Sequence, residues 1–259
     1  MIVVTGATGN VGRPLVEALT AAGEEVRAVS RRGPAPGDLS DAASLRPAFE
    51  GASAVFLLLP PDFRGPLEPV LAQAAGARVV LLSSQGVGTG RHPAVFEEAV
   101  RGSGLEWTVL RPGGFASNAF QWAESVRSTR TLAAPFGEVA LPVIDPADIA
   151  AVAAAALVDS SHAGRTYELT GPALISPRDQ AAAIGEALGE PVRFVPQTRE
   201  EAFSAMTGFM PPGVANATLD ILGSPSPAEQ RVSQDASRVL GRPPVFFADW
   251  AARNSVAFK

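Results

Sequence analysis

Cysteine is absent from the 259 residues, so disulfides, thiol nucleophiles and thiolate metal sites are excluded together. Lysine and tyrosine are almost absent as well: Lys259 is the only lysine and Tyr167 the only tyrosine. A chain with one of each can place them in few roles. No apolar run is long enough to span a bilayer, the longest being the alanine-rich stretch 149–158. Residues 2–4 already read as strand, which leaves no room for a signal peptide and makes a cytoplasmic protein without a membrane partner the expectation. A formal net charge of -5, with no Lys/Arg-rich run, argues against nucleic acid as a partner. Neither His92 nor His162 has a second ligand at metal-binding spacing, and no Gly-x-Ser-x-Gly elbow appears, so metal catalysis and serine hydrolysis are not expected.

What is present is an alternation of short β-rich runs with helical patterns, the mark of parallel βαβ units. Strands are predicted at 2–5, 26–30, 55–59, 78–83, 107–110 and 167–170. Val11, Leu15, Ala18, Leu19 and Ala22 recur at helical spacing until Gly23, and a second helix is predicted from Pro93 to about Arg101. Asp145-Pro146-Ala147-Asp148 reads as a third helix start, with Asp145 as N-cap, Pro146 at the first position and Asp148 reaching back as in a capping box. The fold expected is α/β, a Rossmann-like doubly wound parallel sheet over 1–170 with a small C-terminal substrate lobe at 171–259. Residues 113–142 are expected to contribute to the substrate cleft. In the lobe, 179–188 reads as helix and 192–195 as strand, while 211–227 is rich in turn residues. Met206, Phe209 and Met210 are apolar core or a lid.

Thr5-Gly6-Ala7-Thr8-Gly9-Asn10-Val11-Gly12 falls between the first strand and the first helix, the context a phosphate-binding turn requires. Gly6 suits a tight turn, Gly9 lets the backbone approach a pyrophosphate, and Gly12 permits close helix–strand packing. The helix that follows aims its free N–H groups and positive dipole end at the anion. At the tip of the second strand an NAD site carries Asp or Glu for the ribose 2′-hydroxyl. Here Ser30-Arg31-Arg32 stands instead, and guanidinium groups suit a 2′-phosphate, so NADP(H) is the expected cofactor. Asp38 and Leu39 are candidates to flank the adenine. Leu59 and Pro60 are candidates for the adenosine ribose, or else core and turn.

The glycine turn, the Ser30-Arg31-Arg32 tip, Leu82-Ser83-Ser84, Leu110-Arg111-Pro112-Gly113, Asp145–Ala150 and Tyr167–Pro172 together resemble the NmrA-like group of atypical short-chain dehydrogenases. That group includes reductases of quinones and related electron-poor acceptors, natural-product reductases and dinucleotide-sensing regulators. The resemblance implies that Ser83 and Ser84 lie beside the nicotinamide at the carboxyl end of a central strand, where a hydroxyl polarises an acceptor or merely caps a strand end. It also implies that Gly113 and Gly114 pass close to the nicotinamide amide. Phe115, Asn118, Phe120 and Trp122 then wall the pocket, with Asn118 helping to position the acceptor, although aromatics at helical spacing are more often core.

The chain departs from the wider class in its chemistry. Short-chain dehydrogenases use Tyr-x-x-x-Lys, in which lysine lowers the tyrosine pKa for proton exchange with the substrate oxygen. Tyr167 has Gly171 four residues on, Lys259 has no tyrosine four residues before it, and in the helix that would hold the pair Phe96 is followed by Val100. Hydride transfer then needs an electron-poor acceptor, a substrate that brings its own proton, or another acid, for which His92 is the candidate. Glu97 and Glu98 read as a solvated helix face. The leading expectation is an NADPH-dependent reductase of an aromatic or conjugated small molecule such as a quinone, imine or polyketide-type ketone. The alternative is a regulatory protein that senses NADP(H) without turnover.

Overall fold

The computed structural model describes residues 1–31, 33, 35–61 and 63–259. Its strands among these are β1 (Ile2–Thr5), β2 (Val26–Ser30), β3 (Ala35–Pro36), β4 (Ala54–Leu58), β5 (Arg78–Leu82), β6 (Trp107–Pro112), β7 (Thr131–Ala134), β8 (Arg165–Leu169) and β9 (Arg193–Pro196). Seven of them form one sheet in the order β3-β2-β1-β4-β5-β6-β8, and every neighbouring pair is parallel. This is the doubly wound arrangement the sequence predicts. The order reverses between β1 and β4, which is the switch point where such sheets take their ligands.

Both faces of the sheet are covered, so its strands read as nearly continuous apolar runs. Val3, Val29, Val55, Leu57, Val79 and Leu81 share one buried core with Leu45, Phe49, Leu67, Val70 and Val100. The helices on that face are Arg46–Phe49, Glu68–Gln73 and Val95–Gly102. Ile2, Val4, Phe56 and Val80 are buried on the other face, where the helices Gly12–Ala21 and Pro146–Val158 pack on each other. The second of these buries Ala150, Ala153 and Ala156, small side chains that let it lie close to its neighbour.

The chain divides into two compact units, and the division differs from the single boundary expected near 170. One unit is Met1–Pro112, Pro146–Leu169 and Gln234–Arg242; the other is Gly113–Asp145, Thr170–Ser233 and Pro243–Lys259. Ion pairs and hydrogen bonds distant in sequence draw the segments back. In the first unit Arg242 donates to the fully buried Asp148 at 2.7 Å, and Asp235 accepts from the Glu168 backbone N–H at 3.0 Å. In the second, Arg253 donates to the buried Asp145. The two carboxylates expected to cap the helix at Pro146 are thus also anchors for the end of the chain.

The second unit holds the parallel pair β7–β9 and a core of Val126, Leu132, Ile184, Phe247, Trp250 and Phe258. Its helix Pro177–Leu188 starts at a capping box made by Ser176 and Asp179. The turn reading of 211–227 requires correction: Pro212–Gly223 is a helix with proline in its first turn, where a missing N–H costs little. Phe209, just before it, is 70% exposed and is not core.

Thr5 ties β1 to β4. Its hydroxyl donates to the Phe56 carbonyl at 3.0 Å and accepts from the Leu58 N–H at 2.9 Å, in a side chain only 2% exposed. Thr5→Val leaves both backbone groups without this partner and is expected to cost about 1–3 kcal/mol. Urea unfolding followed by circular dichroism measures it, and an unchanged midpoint contradicts the assignment.

Candidate active site

The glycine turn is built on contacts that no side chain tolerates. Gly6 adopts φ +62 beside the Leu58 side chain, and its carbonyl accepts from the Gly9 N–H at 3.0 Å. A Cβ on Gly12 would lie 2.1 Å from that same carbonyl oxygen and 2.8 Å from the Ala7 Cα. Gly12 therefore lets the helix start directly against the turn. Ala7, Val11 and Gly12 are buried while Thr8, Gly9 and Asn10 are exposed, so the tip of the turn faces outward ahead of the helix. Such a cradle fits a dinucleotide pyrophosphate. Thr5, expected among the cofactor ligands, commits its hydroxyl to β4 as described and acts by holding the turn.

At the end of β2, Arg31 is exposed, and Arg32 lies outside the described residues. Arg31 and Asp38 line a cavity of about 610 Å³ together with Arg27, Ala35, Pro36, Gly37, Ser44, Pro47 and Ala48. Asp38 accepts from the Ser40 N–H at 2.9 Å and is fixed further by Ser44. Leu39 and Leu59 pack partly buried against the core, and Pro60 accepts from the Phe63 N–H. The turn, the Arg31 tip and the Asp38 loop thus all stand at the carboxyl ends of β1, β2 and β3.

The carboxyl ends of β5 and β6 hold a cluster that the sequence reading missed. Glu97, expected on a solvated face, is 1% exposed. Its carboxylate accepts from Ser83 Oγ at 2.6 Å, from Arg111 Nε and Nη2 at 2.9 and 2.7 Å, and from Arg101 Nη2 at 2.9 Å. Burial alone pushes the Glu97 carboxyl up. The hydrogen bonds from Arg111 and Ser83 and the charges of Arg111 and Arg101 outweigh it, and the group is held below the usual carboxylate range. Arg111 is raised in turn by its bond to Glu97, against its own burial. Two signals were legible: a Glu97–Arg101 pair at i,i+4 and a charge inside an apolar strand at Arg111.

This geometry divides the two serines. An ionised carboxylate has no hydrogen to give, so Ser83 donates to Glu97 and offers only lone pairs elsewhere. The expectation that Ser83 polarises an acceptor by donating to it is corrected on that ground. Ser84, extended at φ -146 and ψ 155, has its Oγ 2.9 Å from His92 Nδ1. The His92 ring lies directly on Gly86, where a Cβ would stand 2.4 Å from Nδ1, and the His92 N–H donates to the Gly86 carbonyl at 2.9 Å. The structure therefore brings together Ser84 and His92, two residues singled out separately. Tyr167 is engaged elsewhere: its hydroxyl lies 2.8 Å from His162 Nδ1, and burial pushes its phenol up.

Gly113, Gly114, Phe115 and Asn118 belong to the second unit. There Phe115 bridges to Ile144, the Gly114 carbonyl accepts from the Ile144 N–H at 2.8 Å, and Asn118 is exposed. A Cβ on Gly114 would meet only an ordinary contact with Val143, so packing within this unit does not demand glycine there. Phe120 is exposed and lays its ring against Trp250 and Phe258, at the border of an aromatic core.

The model of an NAD(P)H-binding family matches residues 6–160, the stretch from the glycine turn past the Pro146 helix. The chain belongs to that family, among its NmrA-like atypical short-chain dehydrogenases. The (4-alkanoyl-5-oxo-2,5-dihydrofuran-3-yl)methyl phosphate reductase of Streptomyces griseus is 38% identical over 100% of this chain and 99% of its own. An NAD(P)H azoreductase of Xenophilus azovorans is 34% identical over 100% and 99%. The fold is shared with an NADPH-dependent quinone oxidoreductase of Escherichia coli solved with NADPH, at a TM-score of 0.81 and 23% identity over 98% and 99% of the two chains.

The Glu97 cluster makes a signed prediction. Its folded-state pKa is depressed, so its contribution to stability is present above the ordinary carboxyl value of 4.5 and is lost as pH falls through the lowered one. Glu97→Gln leaves Arg111 and Arg101 facing a neutral amide and is expected to cost about 3 kcal/mol at neutral pH. The gap between the two proteins should narrow on acidification below 4.5. Urea midpoints measured across that range test it, and a gap independent of pH contradicts it.

Proposed function

We propose that this NAD(P)H-dependent oxidoreductase uses NADPH to reduce small conjugated or aromatic acceptors whose reduced anions are delocalised, with quinones, azo compounds, imines and acyl-substituted unsaturated lactones as the chemical classes. Bound NADPH supplies hydride. The residues that would hold it are the backbone of Gly6–Gly12, with Arg31 and Arg32 at the 2′-phosphate and Asp38, Leu39, Leu59 and Pro60 around the adenosine. Ser83, turned into an acceptor by Glu97, suits a donor such as the carboxamide NH₂ or a ribose hydroxyl, and Gly113, Gly114 and Phe115 follow on directly from β6. Ser84 is the hydroxyl assigned to polarise the acceptor.

One observation carries this reading: the strand ends offer hydroxyls and an imidazole, with no phenol paired to an ammonium. Such a site gives weak acid assistance, and weak assistance suffices when the charge left by hydride spreads over a conjugated system. The names of the relatives fit that common feature. An azo bond, a quinone and an alkene flanked by two carbonyls each yield a delocalised anion.

Titration with the four nicotinamide dinucleotides, followed by loss of reduced-cofactor absorbance with a naphthoquinone, an azo dye and an acyl butenolide, tests the reading. NADPH is expected to bind more tightly than NADH and to be consumed with at least one acceptor. Arg31→Ala should weaken NADPH binding by about 10- to 100-fold while changing NADH binding little. Tight cofactor binding without turnover of any acceptor overturns the proposal in favour of a sensing role.

A further inference from the structure

We propose that His92 is the proton source of the reduction and that it acts through the Ser84 hydroxyl. The inference rests on the reductase reading above and deepens it. Hydride adds to one atom of an acceptor and leaves the electron pair of the broken π bond on its neighbour. That pair takes the Ser84 hydroxyl hydrogen as Oγ takes the proton from Nδ1 of the His92 imidazolium, which is left as neutral imidazole and is reprotonated by a solvent proton. The sum is one hydride and one proton, so the acceptor gains two hydrogens.

Four features of the structure support this assignment. Ser84 is the second residue past β5, at the carboxyl end of the strands where ligands of open parallel sheets sit. The 2.9 Å separation of Oγ and Nδ1 is a hydrogen bond that runs in either direction. With the hydrogen on Nδ1 the imidazole donates, and the Ser84 hydrogen is free to point to an acceptor; once the proton has passed, Nδ1 accepts from Ser84 instead. Ser83 has no such second state, because Glu97 holds its hydrogen at 2.6 Å. His92 is exposed while Ser84 is half-buried, so the histidine is open to proton exchange with solvent.

The ring is also held in place. Gly86 lies so close beneath it that a methyl group would be 2.4 Å from Nδ1 and 2.7 Å from Cε1, and the His92 backbone bonds to the Gly86 carbonyl. A histidine serving only as an exposed loop residue needs no such seat.

The test compares wild type with His92→Asn, which keeps an N–H for Ser84 but cannot release a proton, and with Ser84→Ala, Gly86→Ala and the His92→Asn/Ser84→Ala double variant. Turnover of an azo dye, which needs a proton on nitrogen, should fall roughly 10²-fold in each single variant. A naphthoquinone should suffer a smaller fall. The double variant should be no worse than either single one, because the two groups act in series. Wild type should show a solvent deuterium effect on dye turnover that His92→Asn lacks. Independently of activity, the chain has only two histidines, so the ¹⁵N resonances of His92 are assignable by difference and should shift in Ser84→Ala.

Unchanged dye turnover in His92→Asn overturns the inference. So do additive losses in the double variant, an equal fall on both acceptors with weakened NADPH binding, or His92 resonances indifferent to Ser84→Ala. A wild-type protein that binds NADPH and reduces neither acceptor overturns the proposed function itself, and this inference with it.

Discussion

The Glu97 carboxylate joins three elements at one point, since it is carried by the helix Val95–Gly102 and accepts from Ser83 after β5, from Arg111 in β6 and from its own helix through Arg101. A charge that is 1% exposed persists only when its lone pairs are met, and here three neighbours meet them. The consequence reaches beyond stability. By fixing where the Ser83 hydrogen goes, the cluster decides which of two adjacent hydroxyls is able to donate, and the chemistry of the strand ends follows from that direction. Gly88 belongs to the same construction, since a Cβ there would crowd Arg111 Nη1 at 3.0 Å and Glu168 Oε1 at 3.2 Å.

The glycine turn is the second constraint, and it acts by exclusion where Glu97 acts by attraction. Gly12 brings a helix start within 2.1 Å, counted from its missing Cβ, of the carbonyl of Gly6. That proximity is what delivers helix N–H groups to the same end of β1 at which the sheet order reverses. Thr5 secures the base of the turn to β4, so that the cradle and the β4 edge are set by one hydroxyl. The same residue type would otherwise read as a ligand, and its burial is what assigns it to the scaffold.

Much of this was legible in the chain. The strands of a sheet covered on both faces are nearly continuous apolar runs, so β1, β2, β4, β5 and β6 could be read to within a residue or two. The helix at Pro146 was found from its start signal, and the glycine turn from its place between strand and helix. Two of the failures have a common cause, in that each depends on a partner distant in sequence. Glu97 looks solvated until Ser83 and Arg111, 14 residues away on either side, are brought to it. The unit boundaries look like one step near 170 until Arg242 returns to Asp148, 94 residues earlier, and Arg253 to Asp145, 108 residues earlier. The misread helix at Pro212 is a different case, a local one, because proline marks both turns and first helical positions and the buried Ala215 and Leu219 beyond it are too sparse to declare a period.

A tyrosine with a lysine beside it and a serine with an imidazole beside it solve the same problem differently. The first lowers the pKa of one group that itself touches the substrate, which gives strong assistance to an isolated oxyanion. The second leaves the touching group a poor acid and puts the labile proton one hydrogen bond away, on a ring that exchanges with solvent. Such a relay contributes least where the product anion is already stable and most where a proton must land on nitrogen or on an isolated oxygen. A chain with one tyrosine, whose hydroxyl lies against His162, and Lys259 as its one lysine cannot build the first solution. On the proposed relay, the charge a substrate can carry on its own sets how much it depends on His92.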